Sequence, residues 1–152
     1  MNVQDYLKQN DVAFETHEHP PAYTAQEVAA EEHVSGNVLA KTVVVKGGGG
    51  FALCALPASY KLDLKKVGKA LGAKSAKLAD EKDMAGLFPD TEVGAEPPFG
   101  NLYDLPTLVD RHLAKDEDIV FQAGTHRHAV RMKYADYARL VEPQVADLAV
   151  HL

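Results

Sequence analysis

A chain of 152 residues, 46% hydrophobic and 25% charged, can bury a core without disulfide or metal staples and is too apolar for a disordered or fibrous protein. Sixteen Lys and Arg against 22 Asp and Glu leave a formal net charge of −6, which argues against strong autonomous binding to nucleic acid and against DNA as a partner. A lone cysteine, Cys54, excludes a disulfide framework within the chain, and the opening MNVQDYLKQND lacks the basic and apolar regions of a signal peptide, so a cytoplasmic protein with no membrane association is expected.

In chain order, Val3, Tyr6 and Leu7 place one apolar stripe on a short helix from Val3 to Gln9. Asn10-Asp11 reads as a turn, and the alternation of Val12, Phe14 and Thr16 predicts a strand over 12–18 that ends at Pro20-Pro21. Thr24-Ala-Gln-Glu27 has the form of a capping box and predicts a helix from Ala25 to His33, stopped by Ser35-Gly36. The β-branched run Val38 to Lys46 and the apolar run Phe51 to Leu56 predict two strands joined by Gly47-Gly48-Gly49-Gly50. No helix carrying Lys-Ser/Thr follows those glycines, so they are a hairpin tip and not a phosphate loop. Cys54, inside the second run, reads as a small buried hydrophobe.

Leu64, Val67, Ala70 and Leu71 mark a helix from about Asp63 that Gly72 terminates. A short strand over Ala76–Ala79 and a helix over Asp80–Leu87, capped by Asp80, come next. Beyond the proline- and glycine-rich segment 89–106, strands are predicted at Thr107–Arg111, Ile119–Gln122 and His128–Met132, with a last helix over Tyr134–Val141. The elements predict an α+β fold, one domain over 1–152, with a mixed, strongly curved, partly barrel-like sheet flanked by short helices.

Three features could carry chemistry. Lys41 sits inside an otherwise apolar strand and shares a face with Leu39, Val43 and Val45. Burying an unpaired ammonium is costly, so its stem is packed with a wet head, or it is a functional lysine in a pocket. In "VGAEPPFGN", residues 93–101, Gly94 and Gly100 bracket Pro97-Pro98; such a loop is a rigid surface turn or a frame that aims backbone amides at a developing oxyanion. In "FQAGTHRHAVRM", residues 121–132, His126 and His128 are two apart, as are His17 and His19. A zinc site from these four lacks a further ligand with supporting spacing, so no metal is expected. Ser35, Ser59 and Ser75 lack the context of a nucleophile elbow.

One segment is basic within this acidic chain. Between Tyr60 and Asp80 lie Lys61, Lys65, Lys66, Lys69, Lys74 and Lys77 with only Asp63 and Asp80 against them. Lys65 and Lys69 are one helical turn apart, and Lys61 extends the row. The row is either a solvated helix face or a surface for an acidic partner.

Taken in order, the capped helix, "LAKTVVVK", the hairpin continuing into "ALPASYKLDLKKVGKALG", the glycine-proline loop and "AGTHRHAVRM" before a closing helix resemble the YbaK/ProX type of aminoacyl-tRNA editing domain, which includes the insertion domain of bacterial prolyl-tRNA synthetases. The resemblance covers roughly residues 15–142, and its most specific parts are Lys41-Thr42 and the Gly-x-x-x-Pro of Gly94 to Pro98. It implies a YbaK-like fold and a trans-acting deacylase that hydrolyses the ester of mischarged tRNA carrying a small amino acid, without metal or cofactor. The alternative is a non-catalytic module of the same fold that binds aminoacyl-tRNA or a synthetase. Lys41 and Gly100 would be catalytic, while Thr42, Gly94, Pro98 and His126 would contact the substrate. Lys61, Lys65 and Lys69 would meet the tRNA acceptor end, with a synthetase as a further partner. Members specialised for alanyl-tRNA carry asparagine after the lysine, so Thr42 leaves the amino acid open.

Overall fold

The structure, a computed structural model, describes residues 2–152; Met1, counted in the expected domain, lies outside the described residues. Helix α1 (Val3–Gln9) begins where the Asn2 side chain accepts the Asp5 N–H at 2.8 Å, and it buries Val3 and Leu7. Strand β1 (Phe14–Glu18) precedes helix α2 (Ala25–Glu31), whose N-cap Thr24 accepts the Glu27 N–H as the capping box requires. The helix ends before His33, which takes a φ of 56° and turns the chain out of register.

Strands β2 (Ala40–Gly47) and β3 (Gly50–Pro57) form an antiparallel hairpin. Its tip is tighter than four glycines suggest: Gly48 and Gly49 alone turn the chain, at φ 62° and 84°, the two positive values of a type I′ turn. Strand β4 (Tyr60–Leu62) leads into helix α3 (Leu64–Leu71), which Asp63 caps through the amides of Lys65 and Lys66 and Gly72 closes at φ 67°. Strand β5 (Ala76–Leu78) and helix α4 (Glu81–Leu87) come after it, α4 opened by a reciprocal box between Asp80 and Asp83. Strands β6 (Thr107–Asp110), β7 (Asp118–Gln122) and β8 (His128–Lys133), helix α5 (Tyr134–Val141), and strands β9 (Gln144–Ala146) and β10 (Ala149–His151) complete the chain.

The strands assemble as three open sheets, which corrects the expected barrel-like sheet. One has the order β5-β2-β3-β6-β9, antiparallel through β3 and parallel beyond it; another is β1-β8-β7, antiparallel; the smallest pairs β10 with β4. Closing a barrel needs hydrogen bonds along the full length of every edge strand. Here the two larger sheets meet at a single bridge, Leu39 to Val120, because the turn bonded through the Ser35 carbonyl leads the chain away before it. The mixed α+β architecture stands.

Aromatic packing anchors the glycine-proline loop. Phe99 is fully buried and meets Phe121, Tyr137 and Tyr6 at ring-centroid distances of 5.4, 5.1 and 6.1 Å, so the loop is nailed to the core by a cluster of rings. On β3, Cys54 is wholly buried beside Val45, Val67 and Leu108, and that burial pushes its thiol up to about 12.

Candidate functional site

Lys41 pairs across the hairpin with Leu56 and shares its strand face with Val43 and Val45, which pack toward Val67 of α3 and Leu108 of β6. The side chain is half-buried, and Nζ donates to the Ala58 carbonyl at 3.5 Å. Burial alone lowers its pKa from the ordinary lysine value. A packed stem with a partly exposed head is common to both readings open from the sequence. The head makes one long hydrogen bond, to the Ala58 carbonyl, and no carboxylate is paired with it among the described residues.

Beside Lys41 lies a cavity of about 60 Å³. Leu39, Ala40, Lys41 and Thr42 form its floor, Ala25 and Val28 of α2 and the preceding Tyr23 one wall, and Gly94, Glu96 and Gln122 the other. Lys41, Thr42 and Gly94, more than fifty residues apart in sequence, thus share one site. Helix α2 reaches it through its apolar face, Val28 being fully buried against Leu39 and Val120.

The second wall is rigid. Glu92 N–H donates to the Gly124 carbonyl at 2.9 Å and Gly124 N–H to the Ala95 carbonyl at 2.8 Å, so segment 92–95 runs as a rung against the β7–β8 turn. Gly94 takes φ 89° and Gly124 φ 93°, conformations that a Cβ would strain. His126 completes the brace: its N–H donates to Glu92 Oε1 at 2.7 Å and its Nε2 lies 2.9 Å from the Val93 carbonyl. A carbonyl only accepts, so Nε2 carries a proton, while the buried Nδ1 has no hydrogen-bond partner. The ring also packs against Tyr23, tilted at 47° with the centroids 4.7 Å apart. His126 stands behind the cavity wall and is not among its lining residues.

The remaining predicted residues fall elsewhere. Pro98 is buried, and its carbonyl accepts the Tyr137 hydroxyl at 2.6 Å. Gly100 does not line the cavity. Its N–H donates to Thr107 Oγ1 at 2.9 Å, and a Cβ there would collide with Thr107 Oγ1 and the Leu105 carbonyl. Both residues fix the far end of the loop. Lys61, Lys65 and Lys69 are exposed, and Lys61 lies three residues beyond Ala58, whose carbonyl faces Lys41. Lys66, from the same basic segment, is engaged by Asp147 and the Ala149 carbonyl, each at 3.1 Å.

The four paired histidines scatter. His17 Nδ1 lies 2.8 Å from Glu32, His19 Nδ1 donates to the Pro20 carbonyl, and His128 bonds Thr125. Among the described residues, no group of three or more His, Cys, Asp or Glu side chains could hold a metal ion, and no helix is long and apolar enough to cross a membrane.

Sequence reasoning passed over Glu96. It is 3% exposed yet lines the cavity, and Oε1 accepts the Gly94 N–H at 3.0 Å. Burial pushes its carboxyl up, against the opposing pull of the Glu96 and Gly94 amides and of His126. The available signal was a carboxylate inside the Gly-x-x-x-Pro loop itself, where a solvated turn residue and a pocket residue look alike.

Comparison with known proteins identifies the family. Residues 19–140 match the aminoacyl-tRNA editing domain. The chain is 31% identical over 106 residues to the multifunctional Ser/Thr-tRNA deacylase ProXp-y of Escherichia coli (strain K12), covering 68% of this chain and 63% of that protein, and thus less than two thirds of the relative's length. A solved structure described as a candidate trans-editing enzyme for prolyl tRNA synthetase superposes with a TM-score of 0.86 at 26% identity, over 97% of this chain and 94% of that one. Another, of a hypothetical protein, gives 0.88 at 21% identity over 97% and 99%, a likeness of fold. With the match spanning most of its length, the chain belongs to the aminoacyl-tRNA editing domain family.

Proposed function

We propose that this chain, acting as one domain over 1–152, is a cytoplasmic deacylase that hydrolyses, in trans, the ester of mischarged tRNA bearing a small amino acid. The observation that carries the reading is the convergence of Lys41, Thr42 and Gly94 on a cavity of about 60 Å³. Pockets for drug-sized ligands measure roughly 300–1,000 Å³. A nucleotide does not fit such a space, whereas the side chain of alanine, serine, threonine or cysteine does, so only the aminoacyl end would enter. The Escherichia coli relative is named for serine and threonine.

In this reading the Lys41 ammonium, partly stripped of water, faces the polarised ester carbonyl or the adjoining phosphate, where its field is stronger than in bulk solvent. Water adds to the acyl carbon, the bond to the ribose oxygen breaks, and the water's proton passes to the departing oxygen. The free ribose hydroxyl of the substrate is placed to relay that proton. No serine nucleophile is required. Ser59 Oγ is bound at 2.6 Å to Asn37 Oδ1 and Ser35 Oγ accepts the Asn37 N–H, so both serve a turn. Gly100 and Pro98 act by holding the loop in place, Lys61, Lys65 and Lys69 by receiving the acceptor end, and a synthetase by supplying the mischarged tRNA.

The purified protein, incubated with a panel of mischarged tRNAs, is expected to release small amino acids faster than the uncatalysed rate, unchanged by EDTA. Binding of charged tRNA without ester loss would turn the reading to the non-catalytic module, and loss of activity on chelation would overturn metal independence.

A further inference from the structure

We infer that Glu96 receives the α-ammonium of the substrate, so that the cavity selects esters of free amino acids over those of α-hydroxy acids. The inference rests on the deacylase reading and deepens it.

Carboxylates are seldom buried without a cationic partner or a full set of hydrogen bonds. Glu96 has only part of this: its carboxylate is met by the Gly94 and Glu96 amides and by the field of His126, and no lysine or arginine is paired with it among the described residues. His126, the one nearby imidazole, turns Nε2 to the Val93 carbonyl and makes no hydrogen bond to the carboxylate. Glu96 lines the same small cavity as Lys41. The site is therefore dipolar, anion on one wall and cation on the floor. An aminoacyl-tRNA end has the matching polarity, with an ammonium on the carbon next to the ester carbonyl and anionic phosphates beyond the ribose. The ammonium would give the buried carboxylate its missing partner, and Lys41 would take the other end. An α-hydroxy ester of the same shape brings no charge and leaves Glu96 uncompensated.

The test uses Glu96→Gln, which keeps the shape and an acceptor for the Gly94 amide but removes the charge. Kinetics compare seryl-tRNA with the α-hydroxyacyl-tRNA made from it by nitrous acid, each corrected for its uncatalysed hydrolysis. The wild-type protein is expected to prefer the amino ester by at least about 30-fold in kcat/KM, the scale for loss of one partner of a buried charge pair. In Glu96→Gln that preference should fall to within about threefold, through loss of the amino ester's rate alone. A second measurement needs no turnover. The Gly94 amide resonance, bonded to Glu96, should shift on titration with serinamide and not with glyceramide, and only in the wild-type protein. If that pattern holds while no tRNA is cleaved, the deacylase reading fails and the ammonium site stands. Equal response to amine and hydroxyl probes, or a preference that survives Glu96→Gln, overturns the inference.

Discussion

At Lys41 a single ammonium should decide activity without deciding stability. It holds no carboxylate and donates to one carbonyl at the long distance of 3.5 Å, so Lys41→Ala is expected to melt within a few degrees of the parent. Single-turnover deacylation should nevertheless fall by about 100-fold or more, the usual scale for a lost electrostatic group aimed at the transition state. Lys41→Arg should do no better, because a planar fork cannot fill the place of a compact ammonium. Retention of near-normal turnover in either variant would remove Lys41 from the mechanism. Gly100→Ala is expected to show the reverse pattern. The new Cβ meets the backbone carbonyl of Leu105 and the Thr107 hydroxyl, neither of which can retreat from a packed turn, so a loss of about 1–3 kcal/mol in stability is expected. The folded fraction should lose less kcat/KM than Lys41→Ala, because the group displaced holds the loop and does not touch the ester. A variant that melts like the parent but is inactive would restore Gly100 to the reacting centre.

Among the elements, α3 carries the clearest separable function. Lys65 and Lys69 are exposed on it, Lys61 on β4 just before it, and none of the three has the carboxylate that engages Lys66. Changing the three to glutamine should raise the KM for charged tRNA and flatten its salt dependence by roughly 0.7 for each phosphate no longer neutralised, with cleavage of bound ester nearly unaltered. Unchanged KM and salt slope would place the tRNA elsewhere, with Arg127, Arg131 and Lys133 as the next surface to test. The same elements show what a sequence can disclose. Helices α1, α2, α3 and α4 and the β2–β3 hairpin were legible because each has a cap, a stop or a glycine turn that acts within its own few residues, and α5 through its inward stripe of Tyr137 and Val141. Strands β4, β9 and β10 were not. Each is three residues long, too short for alternation to register, and exists only because a distant partner lies alongside. The open sheets escaped for the same reason, since closure depends on where the Ser35 turn sends the chain. In the site, Lys41 stood out by contrast with an apolar strand, whereas Glu96 sat among loop residues where a carboxylate is ordinary and only burial marks it.

For the molecule as a whole, Glu96 should tie stability to pH. Burial raises its carboxyl above the ordinary value, so between the unfolded and folded pKa the native chain holds a proton that the unfolded chain has released. Stability is then complete below the unfolded value and declines as pH rises through the folded one. Glu96→Gln removes this decline. The variant is expected to match the parent near pH 4 and to exceed it in Tm at higher pH, a gap that opens in thermal melts as pH rises through the folded pKa and then levels off. Asp116, whose carboxyl burial also raises, is present in both proteins and cancels from the comparison. A Tm difference independent of pH would mean that the carboxylate is not penalised by its surroundings. Cys54 gives the molecule a property of another kind, an internal clock for opening. Its thiol is sealed in β3, the strand between the antiparallel and parallel halves of the largest sheet, and resists ionisation up to about 12. A thiol reagent in native buffer can reach it only when that sheet parts, so the alkylation rate reads out core opening directly. The rest of the chain offers no competing thiol, and a second cysteine engineered beside the cavity mouth could carry a fluorophore while the native one stays silent until the fold gives way.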